Sequence, residues 1–154
     1  MNRKLLAVFV ALMAVAMLAT PVFAEKPNTF TLTGTLFILG QGDGDEIYAG
    51  ESDNHLLKLR NSPDLWTGDI SGSGIADGNW LIKGGSLALA VGTYYLEDVT
   101  VAGVGTGDLT LGYSGLDLWV KSGCDDLWSI RGRGTVTPVT FIKYTYELVI
   151  QINP

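Results

Sequence analysis

Every second residue from Ile142 to Ile152 is apolar: Ile142, Tyr144, Tyr146, Leu148, Ile150 and Ile152 alternate with Lys143, Thr145, Glu147 and Gln151. A period of two sustained over this length fits only a β-strand with one buried face. Thr29 to Leu39 repeats the pattern, with Phe30, Leu32, Leu36 and Ile38 on one face and Thr29, Thr31, Thr33 and Thr35 on the other. No window carries a 3.6-residue period; Asp125 to Ile130 has room for one helical turn. All 20 glycines fall after residue 24. That is about twice the usual share, and they punctuate short apolar runs as turns do in all-β chains.

Residues 1–24 stand apart. Arg3 and Lys4 precede an unbroken apolar run from Leu5 to Ala19, then Pro21 and the small-residue sequence Val22-Phe23-Ala24. This is the three-part pattern of a secretory signal peptide, and Pro21 beside a cleavage-like site favours removal after Ala24. A retained anchor is the competing reading, and it is the only membrane association the sequence offers. The expected division is a signal-peptide helix at 1–24 and one domain at 25–154, long enough to bury a core without disulfides. That domain holds sixteen acidic residues against eight basic ones, a formal charge of −8. Such a surface repels phosphate backbones and excludes nucleic acid as a partner. The chain is read as secreted.

Six further strands are predicted between the two end strands: 56–60, 65–83, 86–101, 108–114, 116–122 and 133–137. Asn61-Ser62-Pro63-Asp64 and Gly103 to Gly107 have turn chemistry. In 65–83 one parity carries Trp66, Gly68, Ile70, Gly72, Gly74, Ala76, Gly78, Trp80 and Ile82; the other is polar. An unbroken parity favours one sharply coiled strand over two strands turning near Gly72–Gly74. Eight antiparallel strands with bend-forming glycines predict a single closed β-barrel, which removes exposed edges. A two-sheet sandwich is the alternative, though the cysteine–tryptophan–cysteine spacing of immunoglobulin domains is missing. Tyr144, Tyr146 and their neighbours facing the glycine wall predict a mostly filled lumen.

The order of segments resembles a known group. Gly68-Asp69-Ile70-Ser71-Gly72-Ser73-Gly74-Ile75-Ala76 is followed by Gly107-Asp108-Leu109-Thr110-Leu111-Gly112-Tyr113-Ser114-Gly115. Leu118-Trp119-Val120-Lys121-Ser122-Gly123-Cys124-Asp125-Asp126-Leu127 and Ile130-Arg131-Gly132-Arg133-Gly134-Thr135 come next. Over residues 65–152 this resembles allene oxide cyclase-like barrels, including DUF3224-type domains and dirigent proteins. The resemblance implies an eight-stranded antiparallel barrel, a homotrimer and a hydrophobic small-molecule ligand. No motif matches the polar constellation of the cyclases, and Cys124 stands where the resembling segment has a small residue.

Candidate site residues follow from parity and chemistry. Glu97 shares parity with Tyr95, Val99 and Val101, which in a regular strand puts it inside the barrel, where burial would raise its pKa for acid or base work; the competing reading is a bulge interrupting 86–101 near Gly92, which flips the register and leaves Glu97 wet. Asn79, Tyr95, Tyr144 and Tyr146 are expected to line a ligand site with it. Asp43, Asp45 and Glu46 put three carboxylates in five residues, a candidate calcium loop without the full twelve-residue pattern. No cofactor is implied. His55 reads as a loop residue and Cys124 as a spare thiol; neither sits in a nucleophile motif. Trp119 shares parity with Asp117 and Lys121 and is expected exposed, at an interface between copies of the chain; Arg131 and Arg133 are possible anion holders. The functional reading is a non-catalytic barrel that binds a small apolar molecule or assembles with itself. The alternatives are an isomerase or cyclase working in the barrel mouth, and an extracellular structural or glycan-binding subunit.

Overall fold

A computed structural model describes residues 28–152; the expected signal peptide lies outside the described residues. The strands are β1 (Asn28–Ile38), β2 (Glu46–Tyr48), β3 (His55–Gly68), β4 (Ile70–Lys83), β5 (Ser86–Val101), β6 (Gly105–Ser114), β7 (Asp117–Gly123), β8 (Ile130–Pro138) and β9 (Lys143–Ile152). One 3-10 turn, Asp125–Leu127, links β7 to β8. All pairings between these strands are antiparallel, in the order β1-β9-β8-β7-β6-β5-β4-β3. A final ladder from Gly34↔Gly68 to Ile38↔Asp64 joins β1 to β3 and closes an eight-stranded barrel. The short β2 is an extra strand, paired with the other end of β3 at His55, Leu56 and Leu57.

Three local expectations are corrected. Residues 65–83 are not one bent strand but a hairpin turning at Gly68-Asp69, where Gly68 adopts φ +105°. Trp66 pairs with Gly72 across it. Asn61-Ser62-Pro63-Asp64 is no turn: it lies inside β3, at a bulge where the register shifts between Leu59 and Ser62 and Asn61 takes φ +50°. The Asp77 carboxylate holds that bulge by accepting from the Asn61 N–H at 2.8 Å. β5 is continuous through Gly92, and its irregularity lies later, between Leu96 and Val99.

The lumen is filled by aromatic side chains meeting across the axis. Trp66 lies against Tyr146 at 5.0 Å between ring centroids and edge-on to Tyr94 at 5.3 Å. Tyr94 in turn meets Tyr113 at 4.6 Å. Burying side chains of this size contributes about 1.5–3 kcal/mol each, the larger part of what holds a barrel this small together. Glycine makes the fit possible at Gly78 and Gly92, which face each other across β4 and β5: a Cβ at either would overlap the Tyr113 hydroxyl. The Tyr113 ring thus lies over its cross-strand neighbour Gly92 and over Gly78, in volume that those residues leave free.

Candidate functional site

The filled lumen stops short of one end. There β1 ends, β3 begins and the segment before β9 crosses, leaving an open recess of about 340 Å3. Ile38, Leu57, Leu59, Trp80, Phe141 and Ile142 form its walls, with Leu39, Gly40, Gln41 and Glu46 at its edge. Trp80 is fixed from three sides. Its indole N–H donates to the Tyr113 hydroxyl at 3.1 Å, and its ring stands edge-on to Tyr144 and to Phe141. The Tyr144 hydroxyl donates to the Phe141 carbonyl at 2.9 Å, tying the β8–β9 connection to the floor. Phe141 and Ile142 nevertheless remain 54% and 56% exposed. Large apolar side chains held at a concave opening have the chemistry of a small-ligand site.

One layer deeper, β3 carries a polar column into the core. The Ser62 hydroxyl, fully buried, donates to the Gly40 carbonyl at the recess edge. Asp64 follows, 1% exposed, with its Cα opposite that of Ile38. Its Oδ1 accepts from the Trp66 indole N–H at 3.1 Å, while Oδ2 has no partner. Burial pushes this carboxyl up to about 7, against a smaller downward pull from the indole N–H. Burial likewise pushes the Tyr113, Tyr144 and Tyr146 hydroxyls up to about 12. Asp64 is therefore a proton-exchanging group at neutral pH inside an otherwise apolar lumen.

The expected site residues are scattered. Glu97 is exposed on the outer wall, not in the lumen. A bulge at Glu97–Asp98, with Asp98 at φ +50°, switches the inward parity from Tyr94 and Leu96 to Val99 and Val101. The Asp108 carboxylate accepts the Asp98 N–H at 3.1 Å and holds the bulge. Tyr95 is on the outer wall opposite Ile75. Asn79 also faces outward, accepting from the Arg60 guanidinium at 3.2 Å. Tyr144 and Tyr146 are buried inward as expected, Tyr144 beside the recess and Tyr146 deeper.

Asp43 accepts from Asn61 at 2.9 Å and Glu46 from Tyr48 at 2.7 Å; among the described residues, no three metal-ligating side chains gather. His55 stacks on Tyr48, and Cys124 is an exposed free thiol. Trp119 is half-buried on the outer wall; Trp128, 68% exposed, is the more open tryptophan. Asp64 escaped the sequence reading because it sits in Asn-Ser-Pro-Asp, which has the composition of a turn; the signal was its shared parity with Trp66.

No known family profile matches the chain, and no curated protein matches it in sequence. In structure it is similar to a protein of unknown function from the DUF3224 family of Shewanella oneidensis MR-1. That likeness has a TM-score of 0.56 at 14% identity, covering 82% of this chain and 99% of that one. At this identity the likeness establishes the shared barrel fold, and a site must be argued from its own residues.

Asp64 sets a pH dependence. Its folded-state value lies above the ordinary 3.8, so the folded state binds the proton more tightly than the unfolded chain. Stability is therefore full below about pH 4 and is lost as pH rises toward 7. Urea unfolding should show wild type losing about 2–3 kcal/mol more than Asp64→Asn between about pH 5 and pH 8. Parallel profiles for the two proteins would contradict this account of Asp64.

Proposed function

We propose that the chain is an exported, non-catalytic barrel protein that takes a small apolar or amphipathic molecule into the recess at its mouth. The observation that carries this reading is the recess itself: about 340 Å3, walled by six large apolar side chains, with Phe141 and Ile142 held open to solvent. That volume is at the lower end of the range for ligand pockets. Glu46 is its one ionisable lining side chain among the described residues, and its carboxylate is engaged by Tyr48. A wall this poor in polar groups suits binding better than the isomerase or cyclase chemistry implied by the resemblance to allene oxide cyclases. Export rests on the leader pattern at residues 1–24.

Self-assembly is the second reading. Ile75, Leu89, Val91 and Tyr95 are exposed together on the outer faces of β4 and β5, with Ile75 directly opposite Tyr95. A row of large apolar groups on a barrel wall is suited to burial against copies of the chain, as in a homotrimer.

Two measurements test these readings. The neutral dye N-phenyl-1-naphthylamine should bind saturably at one site per chain. Ile142→Trp, which fills the recess from an exposed position, should weaken that binding about tenfold or more. Non-saturable dye uptake, or equal affinity in the variant, would overturn the recess reading. Light scattering should give a trimer mass; a monomer mass at high concentration would remove the assembly reading.

A further inference from the structure

The ladder between β7 and β8 is the shortest in the barrel. It pairs Asp117, Leu118 and Trp119 with Thr135, Gly134 and Arg133, and no further. β8 continues along β9 to Ile130, and β7 continues along β6 to Gly123, so both strands persist while their separation grows. A bulge explains the divergence: Leu111 pairs with Val120, but the next residue, Thr110, pairs with Ser122, leaving Lys121 as an extra residue that bends β7 away. The Val136 N–H donates to the Leu116 carbonyl at 2.8 Å, which fixes the phase of the ladder. By the antiparallel alternation, the backbone groups of Gly134 and Gly132 face β7, and those of Leu118 and Val120 face β8. Gly134 and Leu118 pair; the register ends after Trp119↔Arg133, so the Gly132 N–H and the Val120 carbonyl face the opening beyond it.

That opening is a depression of about 500 Å3 on the outer wall, toward the end of the barrel away from the mouth. One side is Trp119, whose indole covers the backbone of its cross-strand partner Gly112; any Cβ there would overlap the ring. The other side is Arg131 and Arg133, on the outward parity of β8 and so about 7 Å apart along the strand. Val149 and Gln151 of β9, the ladder partners of Arg133 and Arg131, complete it. One Arg131 nitrogen donates to the Ile130 carbonyl at 2.9 Å; among the described residues, no hydrogen bond ties either guanidinium to a carboxylate. In a chain of net charge −6, two guanidiniums without a hydrogen-bonded carboxylate among the described residues thus stand beside a seated indole. An adjoining depression of about 410 Å3 shares Trp119 and Arg133 and ends at Asp117, which confines an anion to the Arg131 end.

We propose that this seam is a binding site for a small carboxylate carried on a six-membered ring. The guanidinium fork matches the planar carboxylate, and the free Gly132 N–H adds a donor at the same end. The ring packs against Trp119 and Val149. Asp117 accepts from hydroxyls at the other end. Two sources present this chemistry, aromatic acids and uronic acid sugars. The site is separate from the mouth recess and does not depend on its reading.

The test is an amide and indole NMR titration of the protein with benzoate and with galacturonate, using benzamide and galactose as neutral controls. One carboxylate or both should shift Gly132, Val120 and the Trp119 indole N–H at millimolar concentration while the controls leave them in place. Which acid acts identifies the source. Arg131→Gln/Arg133→Gln, exposed substitutions that leave the core untouched, should weaken binding about tenfold or more. No shift at the seam with either acid, equal shifts from the neutral controls, or undiminished affinity in the double variant would each overturn the proposal.

Discussion

Tyr146 reaches inward from β9 beneath Gly34 of β1 and meets the β3–β4 hairpin. Its hydroxyl accepts the Ile70 N–H at 2.8 Å and shares its own proton between the carbonyls of Ile70 at 3.2 Å and Thr67 at 3.3 Å. Four strands meet at this corner, and the β1–β3 closure ladder begins there with Gly34 opposite Gly68. A Cβ at Gly34 would overlap both the Thr67 carbonyl and the Tyr146 ring, so closure and the buried phenol need the same missing side chain. From outside, the Asp69 carboxylate accepts the Thr33 N–H at 2.7 Å and pins the same hairpin to β1. Deleting the Tyr146 hydroxyl would leave a buried N–H unpaired, at a cost of about 1–3 kcal/mol.

The same exchange of ring against glycine runs up the lumen from Tyr146 to Tyr113, and it determines where a ligand can go. Trp66, Tyr94 and Tyr113 leave the middle of the barrel without room. Space reappears past Trp80, where the wall opens to Phe141 and Ile142. Asp64 is the exception in this apolar stack, held by one indole N–H and otherwise without a partner. Its neutral form costs little to bury and its charged form a great deal, which ties the lumen to the pH of its surroundings.

The sequence made the architecture visible and hid the site, for reasons that can be traced to single residues. The all-β class and the end strands were legible in the alternation of 29–39 and 142–152, and closure in the count of eight predicted strands with bend-forming glycines. The β3–β4 hairpin was not, because paired residues of a hairpin share a face. Trp66 pairs with Gly72, both even-numbered, so the inward parity passes through the turn unbroken. Glu97 was placed inward by counting back from Val99 and Val101, and the bulge at Asp98 invalidates that count. Asp64 was concealed by turn-like neighbours within a bulged strand. Bulges shift parity by one without any compositional mark, and here they decide which carboxylate is inside.

Hydrogen exchange at the Ile70 amide tests the role of Tyr146 most directly, because that N–H has a phenol as its acceptor in a closing corner. In wild type, Ile70 should exchange only with global unfolding, at the level of core amides such as that of Leu148. In Tyr146→Phe, Ile70 should exchange by local opening, well ahead of Leu148. Rapid exchange of Ile70 in the wild-type protein, or protection unchanged by the substitution, would contradict the account of closure given above.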